Sequence, residues 1–428
     1  MLHQICLVSF LMLATGYPET ENTVPGPQVS LVVFSDPHYY DPCLGTGGTA
    51  FESLLEGNVK MIAESRQILE EAVQKIIRWD PDLVLIPGDL TKDGSLISHL
   101  RFAGYLASLE EQGAEVFVIP GNHDILNRNS LAYVRDTFIR VQNVDPVRFE
   151  QIYAHYGYGE AIFRDPVSLS YVAEPAEGLW IIGLDPCIYH PGPGQSRGDG
   201  ELRPGTILWL KEILEMPEAR EKQKFAMMHH GVLEHFRGQN RYFNEYVVND
   251  HRKVSRMLAE NGIRVVFTGH YHANDITLKE WSDGSVLYDV ETGSLVTFPC
   301  PIRKIKLAGD SMKIETAIIR SIPSKKNDFS EYAKDYAVKG VSCNVEAFLL
   351  RWHFRPEDAD QVAFQIGQAF ADHCAGDEIP RDPPIDTNGL SLKAKFFVSF
   401  RKRMVRNLRN DLAPPDNNLT IDLRTGRY

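Results

Sequence analysis

Residues 29–38, VSLVVFSDPH, place an apolar run just before a turn that carries an aspartate and a histidine. A short apolar run bounded by turn residues is typical of a buried strand in an α/β sheet. The same arrangement recurs along the chain, with at most one small residue between the run and the turn. The five turns are Asp36-Pro37-His38, Gly88-Asp89, Gly121-Asn122-His123-Asp124, His229-His230 and Gly269-His270-Tyr271-His272.

The five turns are expected to line one crevice, because ligand sites in open α/β sheets gather beyond the carboxyl ends of the strands. Their side chains offer carboxylate oxygens, an amide oxygen and imidazole nitrogens. Mixed nitrogen and oxygen donors suit divalent transition metals. The pattern therefore indicates a centre for a pair of divalent metal ions. Each turn alone is weak evidence, because Asp-Pro and Gly-Asp are usually ordinary turns and a lone buried histidine is usually structural.

Taken together and in this order, the turns resemble the pattern of the calcineurin-like metallophosphoesterases. That pattern runs D-x-H, G-D, G-N-H-D, a histidine after a strand, and G-H-x-H. The resemblance covers roughly residues 29–320. It implies a four-layer αββα sandwich, with a catalytic centre built on two metal ions.

Carried over residue by residue, the resemblance implies a ligand at every position. The metal ligands are expected to be Asp36, His38 and His272 for one ion, Asp89 as the bridge, and Asn122, His229 and His270 for the other ion. His230 competes with His229 for one position, and His229 is preferred because it lies nearer the end of its strand. Manganese, iron, zinc and cobalt all suit this donor set, so the identity of the metal stays open.

Two further residues are expected to take part in catalysis. His123 matches the histidine that contacts the phosphate in this family, and it is expected to stabilise the transition state or protonate the leaving oxygen. Asp124 is expected to orient the imidazole of His123. Purple acid phosphatases place a tyrosine three residues after the bridging aspartate. This chain has Lys92 there, so that type of iron site is not expected.

The resemblance implies metal-dependent hydrolysis of phosphate esters, with small phosphodiesters such as cyclic nucleotides as the preferred substrates. Phosphomonoesterase activity is the alternative within the same fold, and a binding module without catalysis is the alternative outside enzymes. A DNA nuclease of the same superfamily is disfavoured, because the chain is acidic, with a formal net charge of −12. Binding to nucleic acid depends on neutralisation of phosphates by lysine and arginine.

The 428 residues are expected to form more than one structural unit. Residues 1–16 lack Lys, Arg, Asp and Glu and contain an apolar core too short to span a bilayer, which predicts a signal peptide and export to the periplasm or the cell exterior. No later stretch is apolar enough to be a transmembrane segment. Residues 17–28 are expected to be a linker, residues 29–322 the catalytic domain and residues 323–428 a helical domain.

The last predicted helix, residues 392–412, carries a row of lysines and arginines. A solvated face that pairs with the acidic domain is the preferred interpretation, and contact with a phosphate-bearing surface is the alternative. The cysteines beyond the predicted signal peptide have no C-x-x-C spacing, which argues against a zinc ribbon. A bridge between Cys343 and Cys374 and buried free thiols both stay open.

Overall fold

The structure is a computed structural model that describes residues 27–189 and 197–428. Its strands are β1 (Gln28–Val33), β2 (Leu83–Ile86), β3 (Glu115–Val118), β4 (Leu131–Val134), β5 (Thr137–Arg140), β6 (Ala161–Arg164), β7 (Tyr171–Ala176), β8 (Leu179–Leu184), β9 (Gln223–Met228), β10 (Val265–Thr268), β11 (Ile276–Glu280), β12 (Val286–Glu291), β13 (Pro301–Ala308), β14 (Ser311–Ile318) and β15 (Asn418–Asp422). Its α-helices are α1 (Thr49–Leu55), α2 (Ser65–Trp79), α3 (Leu96–Glu110), α4 (Pro146–Ile152), α5 (Pro204–Glu215), α6 (Gln239–Tyr242), α7 (His251–Glu260), α8 (Phe329–Arg351), α9 (Pro356–Ala375) and α10 (Leu392–Leu408).

Two large sheets face each other. One has six strands in the order β15-β14-β13-β1-β2-β3, and the other has seven in the order β11-β12-β10-β9-β8-β7-β6. Apolar side chains of both sheets share one buried cluster, to which α2 and α3 contribute. A second buried cluster joins the seven-stranded sheet to α5 and α7. Helices therefore cover both sheets, which confirms the predicted α/β architecture.

The strands that precede the five turns are parallel neighbours within each sheet. β1 pairs with β2 and β2 pairs with β3, while β9 pairs with β10 in the other sheet. Every residue of β2, LVLI, is buried, as expected for a strand covered on both faces. The carboxyl ends of β1, β2 and β3 therefore lie side by side.

Two connecting segments have local structure of their own. Before α2, the Met61 amide donates to the carbonyl of Val296 at 2.8 Å, and Ile62–Glu64 form a short 3₁₀ helix. Between β3 and α4, the strands β4 and β5 form a hairpin that lies apart from the two large sheets.

The C-terminal region is helical as predicted over α8, α9 and α10. After α10 the chain returns to the six-stranded sheet, where β15 pairs antiparallel with β14. The predicted boundary at residues 322 and 323 therefore does not separate all strands from all helices. The last strand of the sheet comes from the segment that was expected to be only helical.

The predicted signal peptide and most of the predicted linker lie outside the described residues. Among the helices of the described ranges, none combines the length and the apolar character needed to cross a bilayer. The five cysteines within these ranges are all free thiols, so Cys343 and Cys374 are not bridged.

Candidate metal centre

The five turns meet between the two sheets, at the carboxyl ends of β1, β2, β3, β9 and β10. Five residues of these turns have a positive φ although none of them is glycine: Asp36 (51°), His38 (38°), Asp89 (50°), His270 (75°) and His272 (69°). Residues other than glycine rarely adopt this left-handed conformation, and such strain concentrates at functional sites. The backbone is therefore bent so that these side chains point at a common centre.

Asp36, His38 and His272 form the first donor cluster. The Nε2 atom of His272 lies 3.2 Å from Nε2 of His38 and 3.3 Å from Oδ1 of Asp36. Metal–nitrogen bonds of about 2 Å place neighbouring ligands of a tetrahedral ion roughly 3.3 Å apart. These two separations match that spacing, and the third, between Nε2 of His38 and Oδ1 of Asp36, is 3.8 Å, so the three donors surround a space of the size of a single ion.

One carboxylate oxygen of Asp36 remains available to bind a metal ion. Its Oδ2 atom accepts hydrogen bonds from the Ser35 hydroxyl at 2.5 Å and the His270 amide at 3.0 Å. Its Oδ1 atom is buried without a hydrogen-bond partner. A buried carboxylate oxygen without a partner is costly unless a proton or a cation neutralises it. The unpartnered oxygen faces the first cluster, which is evidence that the residues suit a metal ion.

Asp89, Asn122, His229 and His270 form the second donor cluster. Nε2 of His229 lies 3.4 Å from Oδ2 of Asp89 and 3.2 Å from Oδ1 of Asn122. One ligand atom each from Asp89, His229 and His270 lies within 4.8 Å of the other two. The Nδ1 atom of His229 donates to the carbonyl of Pro87 at 2.8 Å, so Nε2 is the nitrogen that faces the cluster. Burial lowers the pKa of His229, but the carboxylates of Asp89 and Asp36 outweigh burial and raise it to about 9, so a metal ion that binds here would displace a proton from Nε2.

The two clusters meet at Asp89. The Oδ2 atom of Asp89 lies 3.6 Å from Nε2 of His38 in the first cluster and 3.4 Å from Nε2 of His229 in the second. Burial alone would raise the pKa of Asp89, but the imidazoles of His229, His123 and His38 hold that pKa well below its usual value. Asp89 is therefore an ionised carboxylate between two sets of nitrogen donors.

His229 and His230 are now distinguishable by position. His230 directs its Nε2 atom to the carbonyl of Gly198 at 2.8 Å, away from Asp89. The Gly198 carbonyl also lies 2.8 Å from Nε2 of His270, but His270 offers a ring nitrogen within 4.8 Å of the ligand atoms of Asp89 and His229, and His230 does not belong to that group. Burial lowers the pKa of His270 well below its usual value, and neighbouring imidazoles lower it further. A neutral imidazole is the form that binds a metal.

His123 lies at the open side of the centre, with its side chain 26% exposed. Its amide donates to Oδ1 of Asp89 at 2.8 Å, and its Nδ1 atom donates to Oδ1 of Asp93 at 2.9 Å. Its Nε2 atom, 3.9 Å from Oδ2 of Asp89, faces the cleft. The imidazole of His123 is therefore oriented by Asp93.

The expectation that Asp124 orients His123 is wrong. Both oxygens of Asp124 are taken by donors of the neighbouring turns: they accept from the amides of Leu90 at 3.0 Å, Thr91 at 2.9 Å and Gly121 at 2.9 Å. The main chain turns the Asp124 side chain towards the loop after β2 and away from the cleft. Asp124 therefore ties the turn that carries Asp89 to the turn that carries Asn122.

Lys60 and Asp93 belong to the centre but were not among the predicted site residues. The Lys60 ammonium lowers the pKa values of His38 and His272, although burial is the larger cause for each. Burial in turn lowers the pKa of Lys60, against the opposing effect of Asp89 and Asp93. Lys60 lies between the apolar residues Val59 and Met61, outside the five turns, and Asp93 follows Asp89 by four residues but is not part of the Gly88-Asp89 pattern, so neither was marked as a site residue.

Comparisons with known proteins are consistent with this geometry. The family model described as calcineurin-like phosphoesterase matches residues 29–274. A search of curated protein sequences finds no match to this chain.

Solved structures with a similar fold have low sequence identity. A dimetal phosphatase from Danio rerio is 16% identical with a TM-score of 0.46, and the alignment covers 67% of this chain and 95% of that one. A purple acid phosphatase from yellow lupin is 10% identical with a TM-score of 0.41, and the alignment covers 71% of this chain and 52% of that one. A Mycobacterium tuberculosis phosphopantetheinyl hydrolase is 15% identical with a TM-score of 0.31, and the alignment covers 63% of this chain and 91% of that one.

These TM-scores are too low to support an argument about function. The assignment rests on the family model, which spans more than half of the chain, and the five turns that carry the resemblance all lie inside the matched range. The chain belongs to the calcineurin-like phosphoesterases.

Proposed function

We propose that the protein hydrolyses small phosphodiesters, such as cyclic nucleotides, with two divalent metal ions held by the two donor clusters. The observation that carries the proposal is the position of Asp89, whose Oδ2 atom lies within 3.6 Å of a nitrogen donor in each cluster. A carboxylate oxygen so placed is suited to bridge two ions. A bound pair of ions supplies the positive charge that allows water to attack a phosphate ester at neutral pH.

The residues around the clusters have distinct proposed roles. His123, held at Nδ1 by Asp93, presents Nε2 to the cleft and is placed to donate a proton to the leaving oxygen. The carboxylate of Asp93 stabilises the protonated imidazole that this step requires. Lys60 is placed to pair with a non-bridging oxygen of the substrate, since its charge already acts on the donor residues.

A phosphomonoester and a phosphodiester differ in charge. A phosphomonoester carries nearly two negative charges at neutral pH, because its second pKa is about 6. A phosphodiester carries one. The ammonium of Lys92 is committed to Asp93 in an ion pair, which leaves Lys60 to face the substrate. Lys60 is therefore the ammonium proposed to meet the substrate beside the metal ions, and because those ions attract both classes of ester, the assay below decides between them.

The test is a hydrolysis assay on protein stripped with chelator and reloaded with manganese or zinc. Bis-p-nitrophenyl phosphate should be cleaved faster than p-nitrophenyl phosphate, and a screen of cyclic nucleotides, glycerophosphodiesters and nucleotides then identifies the substrate class. Asp89→Asn should be inactive, while Asp136→Asn, at an exposed position, should match the wild type. Faster cleavage of the monoester would make the protein a phosphomonoesterase. Metal uptake without turnover on any ester would make it a binding module.

We also propose that the protein is exported. The support is the uncharged, partly apolar character of residues 1–16, which lie outside the described range. Amino-terminal sequencing of the protein recovered after expression of the full chain tests this. A mature terminus near residue 17 is the expected result, and a terminus at Met1 on protein recovered from the cytoplasm would contradict it.

A further inference from the structure

A second buried group of potential ligands lies where the loop after His272 meets the end of α9. One ligand atom each from Asp275, His373 and Glu378 lies within 4.8 Å of the other two, and all three residues are buried. Asp275 comes from the catalytic domain, three residues after His272. His373 and Glu378 come from the last turn of α9 and the loop behind it. The group therefore joins the two parts of the chain.

This group is incompletely hydrogen-bonded. Nδ1 of His373 pairs with Oε1 of Glu378, while Nε2 of His373 and Oε2 of Glu378 are buried without a hydrogen-bond partner. Oδ1 of Asp275 accepts from Nδ1 of His235 at 2.6 Å. Buried polar atoms are nearly always paired, so unpartnered donors of metal-binding types need an explanation. A bound cation would satisfy them.

Carboxyl groups outnumber cations around the group. The neighbouring acids are Asp289, Glu291, Asp377, Asp411 and Asp416, and the neighbouring cations are His235 and Arg303. The buried guanidinium of Arg303 donates mainly to main-chain carbonyls, at 2.5 Å to Asp416 and 2.6 Å to Glu291. Burying unbalanced negative charge is unfavourable, so either protons or a cation must neutralise these carboxylates.

We propose that Asp275, His373 and Glu378 bind a divalent cation of the zinc or manganese class. One imidazole and two carboxylates form a donor set that suits these ions. The ion would hold the loop that carries His270 and His272 against α9, where the amide of Asn274 already donates to the carbonyl of Cys374 at 3.2 Å. This third site is separate from the two donor clusters and does not depend on the proposed hydrolysis.

The experiment isolates the third site from the catalytic centre. His38→Ala/His229→Ala removes a donor from each catalytic cluster, and the stripped full-length variant is titrated with Zn²⁺ by calorimetry. It should still bind a single strong equivalent and unfold at a higher temperature when that ion is present. Adding Glu378→Gln should abolish this binding, whereas adding Glu357→Gln, at an exposed position in the first turn of α9, should not.

Two results would overturn the proposal of a third metal site. A folded His38→Ala/His229→Ala protein that binds neither Zn²⁺ nor Mn²⁺ would overturn the proposal. If that variant does not fold, the metal contents of loaded wild type and loaded Glu378→Gln are compared by elemental analysis. Wild type should hold one more equivalent, and equal contents would overturn the third site while leaving the catalytic centre untouched.

Proton release gives an independent measurement. Burial and neighbouring carboxylates raise the pKa values of Asp416 and Asp411, beside the proposed site, which favours their protonated forms when no cation is near. A cation that replaces protons must expel them. Calorimetry of the His38→Ala/His229→Ala variant in buffers of different ionisation enthalpy should therefore detect protons released on Zn²⁺ binding at pH 7. A binding heat that is independent of the buffer would contradict this arrangement.

A different observation carries a second inference, on the outer face of α10. Leu392, Phe396 and Phe400 recur every four residues and are 86%, 68% and 67% exposed. Positions four apart lie on one face of a helix, and the rings of Phe396 and Phe400 are in contact with centroids 4.7 Å apart. The opposite face packs into the helical region through Ala394 and Val398. The apolar stripe therefore faces away from the protein.

Cations flank this stripe. Lys395, Arg401, Lys402 and Arg403 are exposed and form no ion pair with a carboxylate of the described residues. The expected pairing of this basic row with the acidic catalytic domain is not seen among the described residues: Arg406 pairs with Asp382 at 3.8 Å and Arg409 pairs with Asp372 at 3.5 Å, and both aspartates belong to the helical region. Two copies joined through this face across a two-fold axis would bring like charges together. The surface therefore favours an anionic partner with an apolar interior.

We infer that α10 docks on anionic lipid bilayers. Helices that combine exposed aromatic and aliphatic side chains with lysine and arginine bind at the boundary between headgroups and acyl chains. Because the chain as a whole has a formal net charge of −12, an anionic bilayer would repel the remainder of its surface. Docking would therefore occur in one orientation, with α10 against the lipid.

Sedimentation with vesicles tests this inference. Wild type should bind vesicles of mixed phosphatidylcholine and phosphatidylserine and leave vesicles of pure phosphatidylcholine unbound. Phe396→Ser/Phe400→Ser and Lys402→Glu/Arg403→Glu should each lose binding, while Val147→Ser, at an exposed apolar position on α4, should keep it. Absence of vesicle binding would overturn the inference. So would light scattering that shows wild-type dimers and Phe396→Ser/Phe400→Ser monomers.

Discussion

Asp93 occupies the position behind His123 that Asp124 was expected to hold. The difference arises from the main chain, since Asp124 is surrounded by amides and Asp93 is placed against Nδ1 of His123 at 2.9 Å. Two aspartates close to the same imidazole therefore have different functions. Asp93 sets the orientation and basicity of the ring, and Asp124 holds two turns together.

Replacing Asp93 by asparagine should lower turnover while the metal content stays at its wild-type level. The loss should be roughly 10- to 100-fold in kcat, the effect usual for a carboxylate that orients a functional histidine. Steady-state kinetics with elemental analysis measure both quantities. Asp136→Asn is the control, and loss of bound metal in Asp93→Asn would show that Asp93 supports the clusters instead of His123.

Replacing Lys60 by methionine should weaken substrate binding, because the ammonium is proposed to pair with the phosphate. A charge-assisted hydrogen bond contributes about 1.5–3 kcal/mol, which corresponds to a rise of roughly 10- to 100-fold in KM. Lys60→Arg should restore much of the loss. The measurement is the KM of Lys60→Met for bis-p-nitrophenyl phosphate at several salt concentrations, and an unchanged KM would remove Lys60 from the substrate site.

At the scale of elements, the donor turns depend on very close approach of one main chain to another. Gly88 has a φ of 96°, and a Cβ atom there would lie 2.6 Å from Nδ1 of His229 and 2.9 Å from the main chain of Gly121. The glycine before Asp89 is thus required both by its conformation and by the space around it. It brings the turns after β2, β3 and β9 into contact.

Gly88→Ala should therefore abolish activity and displace His229 from its cluster. Gly284→Ala is a matched control, because Gly284 has a φ of 86° in the hairpin of β11 and β12 and a Cβ there would meet nothing within 4 Å. In the control variant, the only expected cost is the strain of an alanine in the left-handed conformation, about 1–2 kcal/mol. Activity and metal content of the two variants are compared, and equal activity would contradict the steric argument.

The helical region also supports the metal-binding loop. Tyr271, between His270 and His272, is buried in a cluster with residues of α8, α9 and α10. Its ring lies 6.0 Å from that of Phe236 and 5.4 Å from that of His373. The predicted helical domain is therefore in direct contact with the candidate centre, at the back of the G-H-x-H turn.

At the scale of the molecule, Arg303 connects the catalytic sheet to the C-terminal tail. Its side chain is fully buried in β13 and donates to the carbonyl of Asp416, just before β15. It also donates to the carbonyl of Glu291 at the end of β12. The two sheets and the tail therefore meet at a single guanidinium group.

Arg303→Met should loosen the tail and destabilise the whole protein. Removing one partner of a buried charged network costs about 3–5 kcal/mol, because the groups left behind stay buried without their partner. Thermal unfolding should show a lower midpoint, and limited proteolysis should cut earlier within residues 410–428. Arg424→Met, in an exposed turn of the same tail, is the control. An unchanged midpoint would show that the tail is held by β15 alone.

The sequence by itself determined the α/β class, the parallel strands that precede the turns, and the residue types that meet between the sheets. These features are local, since an apolar run followed directly by a donor residue places that donor at a strand end. The alternation in β13 is also a local strand signal, with buried Ile305 and Leu307 alternating with exposed Lys304, Lys306 and Ala308.

Only the tertiary structure decided that Asp93 and not Asp124 orients His123, that Lys60 lies close enough to His38 and His272 to lower their pKa values, and that the tail returns as β15. It also brought Asp275 together with His373 and Glu378, which lie about a hundred residues further along the chain. The physical reason is the same in each case. A contact between distant segments depends on how whole elements pack, whereas a short sequence pattern predicts only the local structure of the residues within it.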